Sequence, residues 1–169
     1  MSEIEIRGTR PGDGPGCALV WQDLGRFFAG INPDTYRVPG SEGLADWFET
    51  LNAKLRDDDQ WLQLVAVADG EIAGQLAATL QQPMAAAERQ IQADFSRRRL
   101  VINALGVRDA DRRGGVGTAL MLAAEQWGRT QGAEVVLLDT ELNNHTSMPF
   151  YEQRMGFTAR AVQFRKELG

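Results

Sequence analysis

Hydrophobic residues recur every three or four positions in three stretches of the chain, which is the spacing of amphipathic helices. The second stretch covers residues 44–55 and the third covers residues 115–131. The first stretch ends at Gly30 and Pro33, and its apolar face consists of Cys17, Val20, Trp21, Leu24, Phe27 and Phe28. We therefore predict three helices, and a fourth, short helix over Ser147–Met155 that Gly156 ends.

Other stretches alternate between polar and apolar residues or are rich in β-branched residues, which is typical of strands. They are residues 3–7, Trp61–Ala68, Glu71–Leu80, Leu100–Val107, Glu134–Leu142 and Phe157–Lys166, the last holding one or two strands. The pair Asp69-Gly70 between two of them predicts a tight hairpin, because both turn residues need a positive φ. Residues 81–96 predict either a short helix over Met84–Ala93 or a mobile connection.

The order of these elements defines the fold class. A strand–helix–strand run beside antiparallel hairpins predicts an α/β fold, with a central mixed β-sheet flanked by helices and at least one parallel crossover. The length of 169 residues fits one domain spanning residues 1–169.

Composition narrows the classes of function. A formal net charge of −5 argues against nucleic-acid binding and favours cationic partners. No apolar run approaches the ~20 residues of a membrane helix, and the acidic N-terminus lacks the features of a signal peptide, so we expect a cytoplasmic protein without a membrane contact. The single cysteine, Cys17, has no partner for a disulfide or a metal, and we predict no metal site.

A glycine-rich turn connects the predicted strand Leu100–Val107 to the third helix. It reads Arg112-Arg113-Gly114-Gly115-Val116-Gly117-Thr118. Free N–H groups at a helix start, glycines that allow close approach and two arginines together suit a pyrophosphate. The alternative is a connection that only lets the helix pack closely on the strand. A P-loop would need a lysine, which this region lacks, and a Rossmann motif would need a glycine where Leu120 stands.

Together with a second motif, this turn resembles the GNAT superfamily of acetyltransferases. That family combines an Arg/Gln-x-x-Gly-x-Gly/Ala loop with an Asn-x-x-Ala-x-x-Leu-Tyr segment one strand later, followed by a Gly-Phe pair. Here the second segment reads Asn144-His145-Thr146-Ser147-Met148-Pro149-Phe150-Tyr151, and Gly156-Phe157 follows. The resemblance covers residues 60–169 and implies a GNAT-like acyl-CoA N-acyltransferase fold with two splayed strands. Asp109 and Arg113 stand where the family often has proline and glycine.

The resemblance implies that acetyl-CoA is the cosubstrate. Its pyrophosphate would lie against the turn whose members are Arg112, Arg113, Gly114, Gly115, Val116, Gly117 and Thr118. The pantetheine arm would pair with the backbone of Leu105 and Val107, and Gly106 between them would allow a bulge. Asn144 would hold the pantetheine side, and Tyr151 would point its hydroxyl at the sulfur.

Acetyl transfer to an amine requires a base for the amine proton, donors for the oxyanion and an acid for the departing thiolate. Tyr151 is the candidate acid, and its alternative role is aromatic packing. Asp139 and Glu141 share one face of the predicted strand Glu134–Leu142 and are candidate bases. Alternatively, they only solvate the strand end and water takes the proton.

Three hypotheses about the acceptor stay open. The chain acetylates a small amine or aminoglycoside-like compound, acetylates a peptide or protein amine, or only binds acetyl-CoA without catalysis. Residues 139–144 are similar to the corresponding run of aminoglycoside N-acetyltransferases, which favours the first. Tyr36, Asp57, Asp58 and Asp59 are candidate acceptor-site residues. The three aspartates would suit a cationic amine, or they solvate a helix end. Dimers are common in the family, so a homodimer is possible.

Overall fold

The helices and strands follow the predicted order along most of the chain. The computed structural model describes residues 3–169, which fall into two compact units that divide between Leu138 and Asp139. The helices and strands of the first unit are β1 (Ile4–Gly8), α1 (Gly14–Ile31), α2 (Leu44–Leu55), β2 (Trp61–Ala68), β3 (Glu71–Gln81), β4 (Arg99–Val107), α3 (Val116–Thr130) and β5 (Val135–Leu137).

The five strands form one mixed sheet in the order β1-β2-β3-β4-β5. Strands β1 to β4 pair antiparallel, and β4 pairs parallel with β5 after the crossover through α3. The hairpin between β2 and β3 turns at Asp69 and Gly70, whose φ angles are 51° and 81°. The predicted mixed sheet, its parallel crossover and its hairpin are therefore confirmed.

Helices α1 and α2 pack on one face of this sheet. Their core is a cluster of buried residues from both helices and from β2, namely Cys17, Ala18, Phe48 and Val65. Cys17 is thus a core residue, and its burial raises the pKa of its thiol to about 11. Helix α3 packs on the opposite face, where Leu100 lies against Gly128 and where Leu120, Met121 and Ala124 are buried.

The glycine-rich start of α1 is held by the protein's own carboxylates. Glu49 of α2 accepts hydrogen bonds from the N–H groups of Gly14 at 2.6 Å and Gly12 at 3.2 Å. Asp13 accepts from the Arg7 guanidinium at 2.8 Å and from the N–H of Arg10 at 2.6 Å. The N–H of Gly14, which helix geometry leaves unpaired, is therefore bound within the fold, and Pro15 after it has no N–H.

Strand β4 contains a bulge, but not at the predicted position. Ala77 of β3 pairs with Ala104 and Ala78 pairs with Ile102, so Asn103 is the extra residue. Because a bulge of one residue exchanges the two faces of a strand, Leu100 faces α3 whereas Gly106 faces α1. The prediction of a bulge at Gly106 is wrong. A Cβ at position 106 would lie 2.8 Å from Cγ1 of Val20, so a larger residue there would force α1 or the Val20 side chain to shift.

Three further predictions differ from the structure. Residues 81–96 form two 3-10 turns, Ala87–Arg89 and Ala93–Ser96, instead of one helix. The predicted strand Glu134–Leu142 is limited to the three residues of β5, because its neighbour β4 pairs with it only as far as Val101. No strand forms within Phe157–Lys166, where the apolar side chain of Phe164 is 92% exposed and so no face of the segment is buried.

The second unit contains one short helical segment. It begins as α4 (Ser147–Pro149) and continues as a π-helical turn over Phe150–Arg154. Gly156 then adopts a φ of 75°, as expected for a glycine that ends a helix. No helix in residues 3–169 combines the length and the apolar character needed to span a bilayer.

Candidate active site

Strands β4 and β5 pair over only three residues before their pairing ends. The paired positions are Arg99 with Val135, Leu100 with Val136 and Val101 with Leu137. Beyond Val101, no strand of residues 3–169 pairs with this edge of β4. The other edge of β4 stays paired with β3 along the whole strand, including at the predicted residues Leu105, Gly106 and Val107 of β4. The second half of β4 therefore has one edge at which an extended ligand can form backbone hydrogen bonds.

A loop of eight residues, Arg108–Gly115, connects β4 to α3, and we call it the arginine–glycine loop. The N–H of Arg108 still bonds the carbonyl of Ala73 at 2.8 Å, and a 3-10 turn follows over Asp109–Asp111. Two residues of the loop have positive φ, Arg113 at 64° and Gly115 at 86°. These angles turn the chain sharply into the helix, as the glycine-rich sequence predicts.

The first N–H groups of α3 point out of the helix without a cap. The first helical hydrogen bond runs from Ala119 to the carbonyl of Gly115 at 2.9 Å, so Val116, Gly117 and Thr118 have no helical acceptor. No side chain of residues 3–169 caps this end. The side chain of Val116 is buried against Gly74, so this residue offers its backbone alone. Three N–H groups without an acceptor and the positive end of the helix dipole are features that favour an anion.

Arg112 is the arginine of the loop that the fold holds in place. Its guanidinium pairs with Asp109 at 2.8 Å and lies over the ring of Phe27 in α1, 4.7 Å from the ring centroid. Arg112, Arg113 and Gly114 are all exposed, and of the two arginines only Arg112 has these contacts. The predicted loop residues, from Arg112 to Thr118, therefore lie in the turn that leads into α3, with the Arg112 guanidinium held by Asp109 and Phe27.

Asp23 of α1 is a residue that the sequence interpretation did not select. It is only 4% exposed, and its carboxylate accepts from Arg108 at 2.8 Å, from the N–H of Asp109 at 3.0 Å and from Arg26. Burial by itself raises the pKa of Asp23, but these hydrogen bonds outweigh it and keep the pKa below the ordinary value. The sequence does contain a signal, because Asp23 stands between Val20 and Phe27 on the apolar side of a helix.

In the second unit, Asn144 organises the short helical segment. It is fully buried, and its side-chain oxygen accepts from the N–H of Ser147 at 3.0 Å. Its side-chain amide donates to the hydroxyl of Thr140 at 2.9 Å. Asn144 thus caps the segment that contains Tyr151. A contact with pantetheine stays a prediction, and it would use the second hydrogen of the amide.

Tyr151 lies in an aromatic environment within the same unit. Its ring contacts Phe150 and Phe157, with centroid distances of 5.1 Å and 5.9 Å. Burial raises the pKa of Tyr151 to about 12, so the phenol keeps its proton at every ordinary pH. A protonated phenol is a donor, which is the state that a general acid requires.

The two candidate bases do not lie on a strand. Strand β5 ends at Leu137, so Asp139 and Glu141 follow it in irregular structure, and the argument that alternation places them on one face does not apply. Asp139 is exposed and Glu141 is half-buried. The carbonyl of Glu141 accepts from the N–H of Asn144 at 3.0 Å, which closes a turn before the helical segment.

The three consecutive aspartates Asp57, Asp58 and Asp59 lie elsewhere. They line an open cavity of about 430 Å³ that also includes Trp61 and Trp127. Its walls come from the beginning of β2 and the C-terminal part of α3, whereas the arginine–glycine loop precedes the other end of this 15-residue helix, roughly 20 Å away along the axis. Strand β3 separates β2 from β4. The aspartates are therefore not beside the unpaired edge of β4.

Comparison with known proteins agrees with this geometry. A family model for the acetyltransferase (GNAT) family matches residues 21–157. No curated protein sequence matches significantly. Among solved structures, the chain is similar to a transcriptional regulator from Bacillus halodurans C-125, with a TM-score of 0.74 at 20% identity, covering 98% of this chain and 100% of that one.

Two further similar structures are aminoglycoside acetyltransferases. One comes from an uncultured soil metagenomic sample, with a TM-score of 0.67, 22% identity and 99% of each chain covered. The other is AAC(6')-Iy in complex with the bisubstrate analogue CoA-S-monomethyl-acetylneamine, with a TM-score of 0.64, 20% identity and 98% and 99% covered. At these identities the likeness shows the shared fold, and the family follows from the family model. The chain belongs to the GNAT family of acetyltransferases and is an acetyl-CoA-dependent N-acetyltransferase.

Proposed function

We propose that this enzyme acetylates the primary amine of a small cationic compound, with Tyr151 as the general acid. The observation that carries the proposal is the uncapped start of α3, where three N–H groups face outward next to Arg112. An anion site of this kind after the end of β4 suits the negative charge of the acetyl-CoA diphosphate.

The coenzyme would bind along two connected surfaces. Its diphosphate would accept hydrogen bonds from Val116, Gly117 and Thr118 and ion pairs from Arg112 and Arg113. Its pantetheine arm would run along the free edge of β4 and pair with the backbone of Leu105 and Val107. This arrangement is supported by the absence of a strand partner for that edge within residues 3–169.

The chemistry is a direct transfer without a covalent enzyme intermediate. The neutral amine attacks the thioester carbon, a C–N bond forms and the carbonyl oxygen becomes an oxyanion, which a backbone N–H near Gly106 would stabilise. The C–S bond then breaks, and the thiolate takes the phenolic proton of Tyr151. The proton that the amine loses goes to a base and finally restores the phenol.

The mechanism also needs a base for the proton of the amine. A protonated alkylamine has a pKa of about 10, so the enzyme must remove a proton before attack. Asp139 and Glu141 are the candidate bases, and the alternative is that a water molecule takes the proton. The exposure of Asp139 makes it the easier of the two to replace by solvent.

A small cationic acceptor is supported by two observations. The net charge of −5 attracts cations, and similar folds include enzymes named as aminoglycoside acetyltransferases. The cytoplasmic location, the single domain and the homodimer stay predictions. A thiol-release assay with acetyl-CoA across small polyamines, aminoglycosides and lysine peptides tests the acceptor. Release with peptides alone would replace the small-amine proposal, and release with none would indicate a binding module.

Replacement of Tyr151 by phenylalanine tests its role as the acid. We expect turnover to fall about 100-fold, the lower end of general-acid contributions, because phenylalanine keeps the contacts with Phe150 and Phe157 but has no proton to donate. The affinity for coenzyme A, measured by calorimetry, should stay within about twofold. Turnover equal to that of the wild type would reduce Tyr151 to a packing residue.

A further inference from the structure

We propose that helix α1 positions the arginine–glycine loop, through the carboxylate of Asp23 and the ring of Phe27, and thereby sets the affinity for the diphosphate. This inference rests on the proposed function, because it concerns the loop that we assign to the coenzyme. Both side chains act through Arg108, Asp109 and Arg112, so they are positioning residues and not catalytic ones.

The partners of Asp23 show which part of the fold it holds. A buried carboxylate is costly unless it is paired and fully hydrogen-bonded. Asp23 meets this need with two consecutive residues that lie 85 and 86 positions further along the chain, Arg108 through its side chain and Asp109 through its backbone. These are the first two residues of the arginine–glycine loop.

The geometry also shows where the chain leaves the sheet. The N–H of Arg108 bonds Ala73 of β3, as a strand residue would. The next N–H, that of Asp109, bonds Asp23 instead. The direction in which the loop departs from β4 is thus set by a side chain of α1, and the path to the open end of α3 begins at this bond.

Phe27 acts on the other end of the same loop. It follows Asp23 by four residues, so the two side chains lie on the same side of α1, one turn apart. Its ring supports the guanidinium of Arg112 at 4.7 Å, while Asp109 holds that guanidinium at 2.8 Å. A long and flexible arginine is therefore ordered before the coenzyme binds, which reduces the entropy lost on binding.

One ion pair provides a matched control. Arg26 also bonds Asp23, but it lies on α1 itself and its side chain is 53% exposed. The variant Arg26→Gln removes one charged partner from Asp23 and leaves the loop untouched. If Asp23 only stabilised α1, Arg26→Gln and Asp23→Asn would change the Kd for coenzyme A in the same way. If Asp23 positions the loop, only Asp23→Asn should change it.

The experiment compares two ligands that differ in the diphosphate. Coenzyme A is titrated by calorimetry, and pantetheine, which has the thiol arm alone, is titrated by NMR. We expect Asp23→Asn to raise the Kd for coenzyme A about tenfold, the lower end of what a charge-assisted hydrogen bond contributes, and to leave the Kd for pantetheine within twofold. Arg26→Gln should change neither. An unchanged Kd for coenzyme A, or an equal loss for both ligands, would overturn the proposal.

Phe27→Leu keeps the test valid even when Asp23→Asn does not fold, because leucine preserves an apolar contact in α1. We expect a two- to fivefold higher Kd for coenzyme A, about the size of a partly exposed cation–π contact. The same substitution in an Arg112→Gln background should have no further effect, because Phe27 acts through Arg112. Equal effects in both backgrounds would contradict this role.

Failure of this inference is distinguishable from failure of the proposed coenzyme site. Gly117→Glu acts on the site itself, at the start of α3. If Gly117→Glu abolishes binding of coenzyme A and Asp23→Asn changes nothing, only the positioning role is wrong. If neither variant affects binding, the diphosphate lies elsewhere and the assignment of the loop is wrong.

Discussion

Two helices of this enzyme begin with glycine-rich sequence, and the structure uses the two helix starts in opposite ways. At α1, the N–H groups of Gly12 and Gly14 are bound by Glu49 of the neighbouring helix. At α3, no side chain in the described residues caps the N–H groups that follow Gly115. One helix start is closed by an internal carboxylate, and the other is open to an external anion.

The difference lies in the neighbours of each helix start and not in its own sequence. A helix end attracts negative charge whether the charge belongs to the protein or to a ligand. The start of α1 is also too crowded for a ligand, since a Cβ on Gly14 would lie 2.4 Å from the carbonyl oxygen of Ala45. Around Gly115, by contrast, a Cβ would meet nothing within 4 Å, which leaves room for the diphosphate that we propose there.

Gly117→Glu converts the open helix start into a closed one and should have the largest effect. We expect the Kd for coenzyme A to rise at least about 100-fold, because a carboxylate at this point repels the diphosphate and fills its site. Folding should persist, since an acidic residue in the first turn stabilises a helix. Calorimetric titration and thermal unfolding measure the two effects.

Gly117→Ala serves as the control for added volume without charge. It should weaken binding much less than the glutamate does. Retained affinity in the folded glutamate variant would show that the open end of α3 does not hold the coenzyme, and the contrast between the two helices would lose its functional meaning.

Glu49→Gln opens the closed helix start and should affect stability alone. We expect the free energy of unfolding to fall by about 1–3 kcal/mol, because glutamine carries no charge and offers one acceptor to two donors. Denaturant unfolding measures this loss, and the Kd for coenzyme A should not change. Asp46→Asn, an exposed acidic residue in the first turn of the same helix, is the matched control and should cost only a few tenths of a kcal/mol.

Asp13 should make the stability of the closed helix start sensitive to acid. We expect this effect to be smaller than those of the substitutions at Gly117 and Glu49. Burial by itself raises the pKa of Asp13, but hydrogen bonds from Arg7 and Arg10 outweigh it and hold the pKa below the ordinary 3.8. Its contribution to stability is therefore complete above pH 3.8 and is lost as the pH falls through the lower pKa of the folded state.

Unfolding curves between pH 6 and pH 2.5 test this sign. The difference in unfolding free energy between the wild type and Asp13→Asn should shrink at the acid end, by at most about 1.4 kcal/mol per pH unit for one proton. A difference that grows on acidification would mean that the carboxylate is not stabilised by its partners.

Most of the fold could be predicted from the sequence because periodicity reports burial. The bounds of α2 and β2 agree with the pattern, and the hairpin at Asp69-Gly70 follows from turn chemistry. The periodicity of apolar residues does not show which residues of a strand pair with a neighbouring strand. Glu134–Leu142 has the composition of a strand, yet only Val135–Leu137 pairs, because the length of β5 depends on where β4 leaves it.

The family and the loop were predictable because two motifs keep a fixed order along the chain. The family, the mixed sheet and acetyl-CoA as the cosubstrate are confirmed, whereas the roles of single residues stay predictions. Asp23 could not be found by motif search, since its partners are remote in sequence and only the folded chain brings Arg108 to it. Asn144 shows the same limit, because its bonds to Thr140 and Ser147 are visible only in three dimensions.

The close contact between Gly106 of β4 and Val20 of α1 means that these two elements cannot be exchanged independently between related enzymes. Any residue larger than glycine at position 106 would press on α1, so β4 accepts only N-terminal helices with a matching surface. Grafting α1 from a relative would therefore require its companion residue on β4 as well. Chimeras of these enzymes should not be cut between α2 and β2, because that cut separates α1 from the strand that it fits.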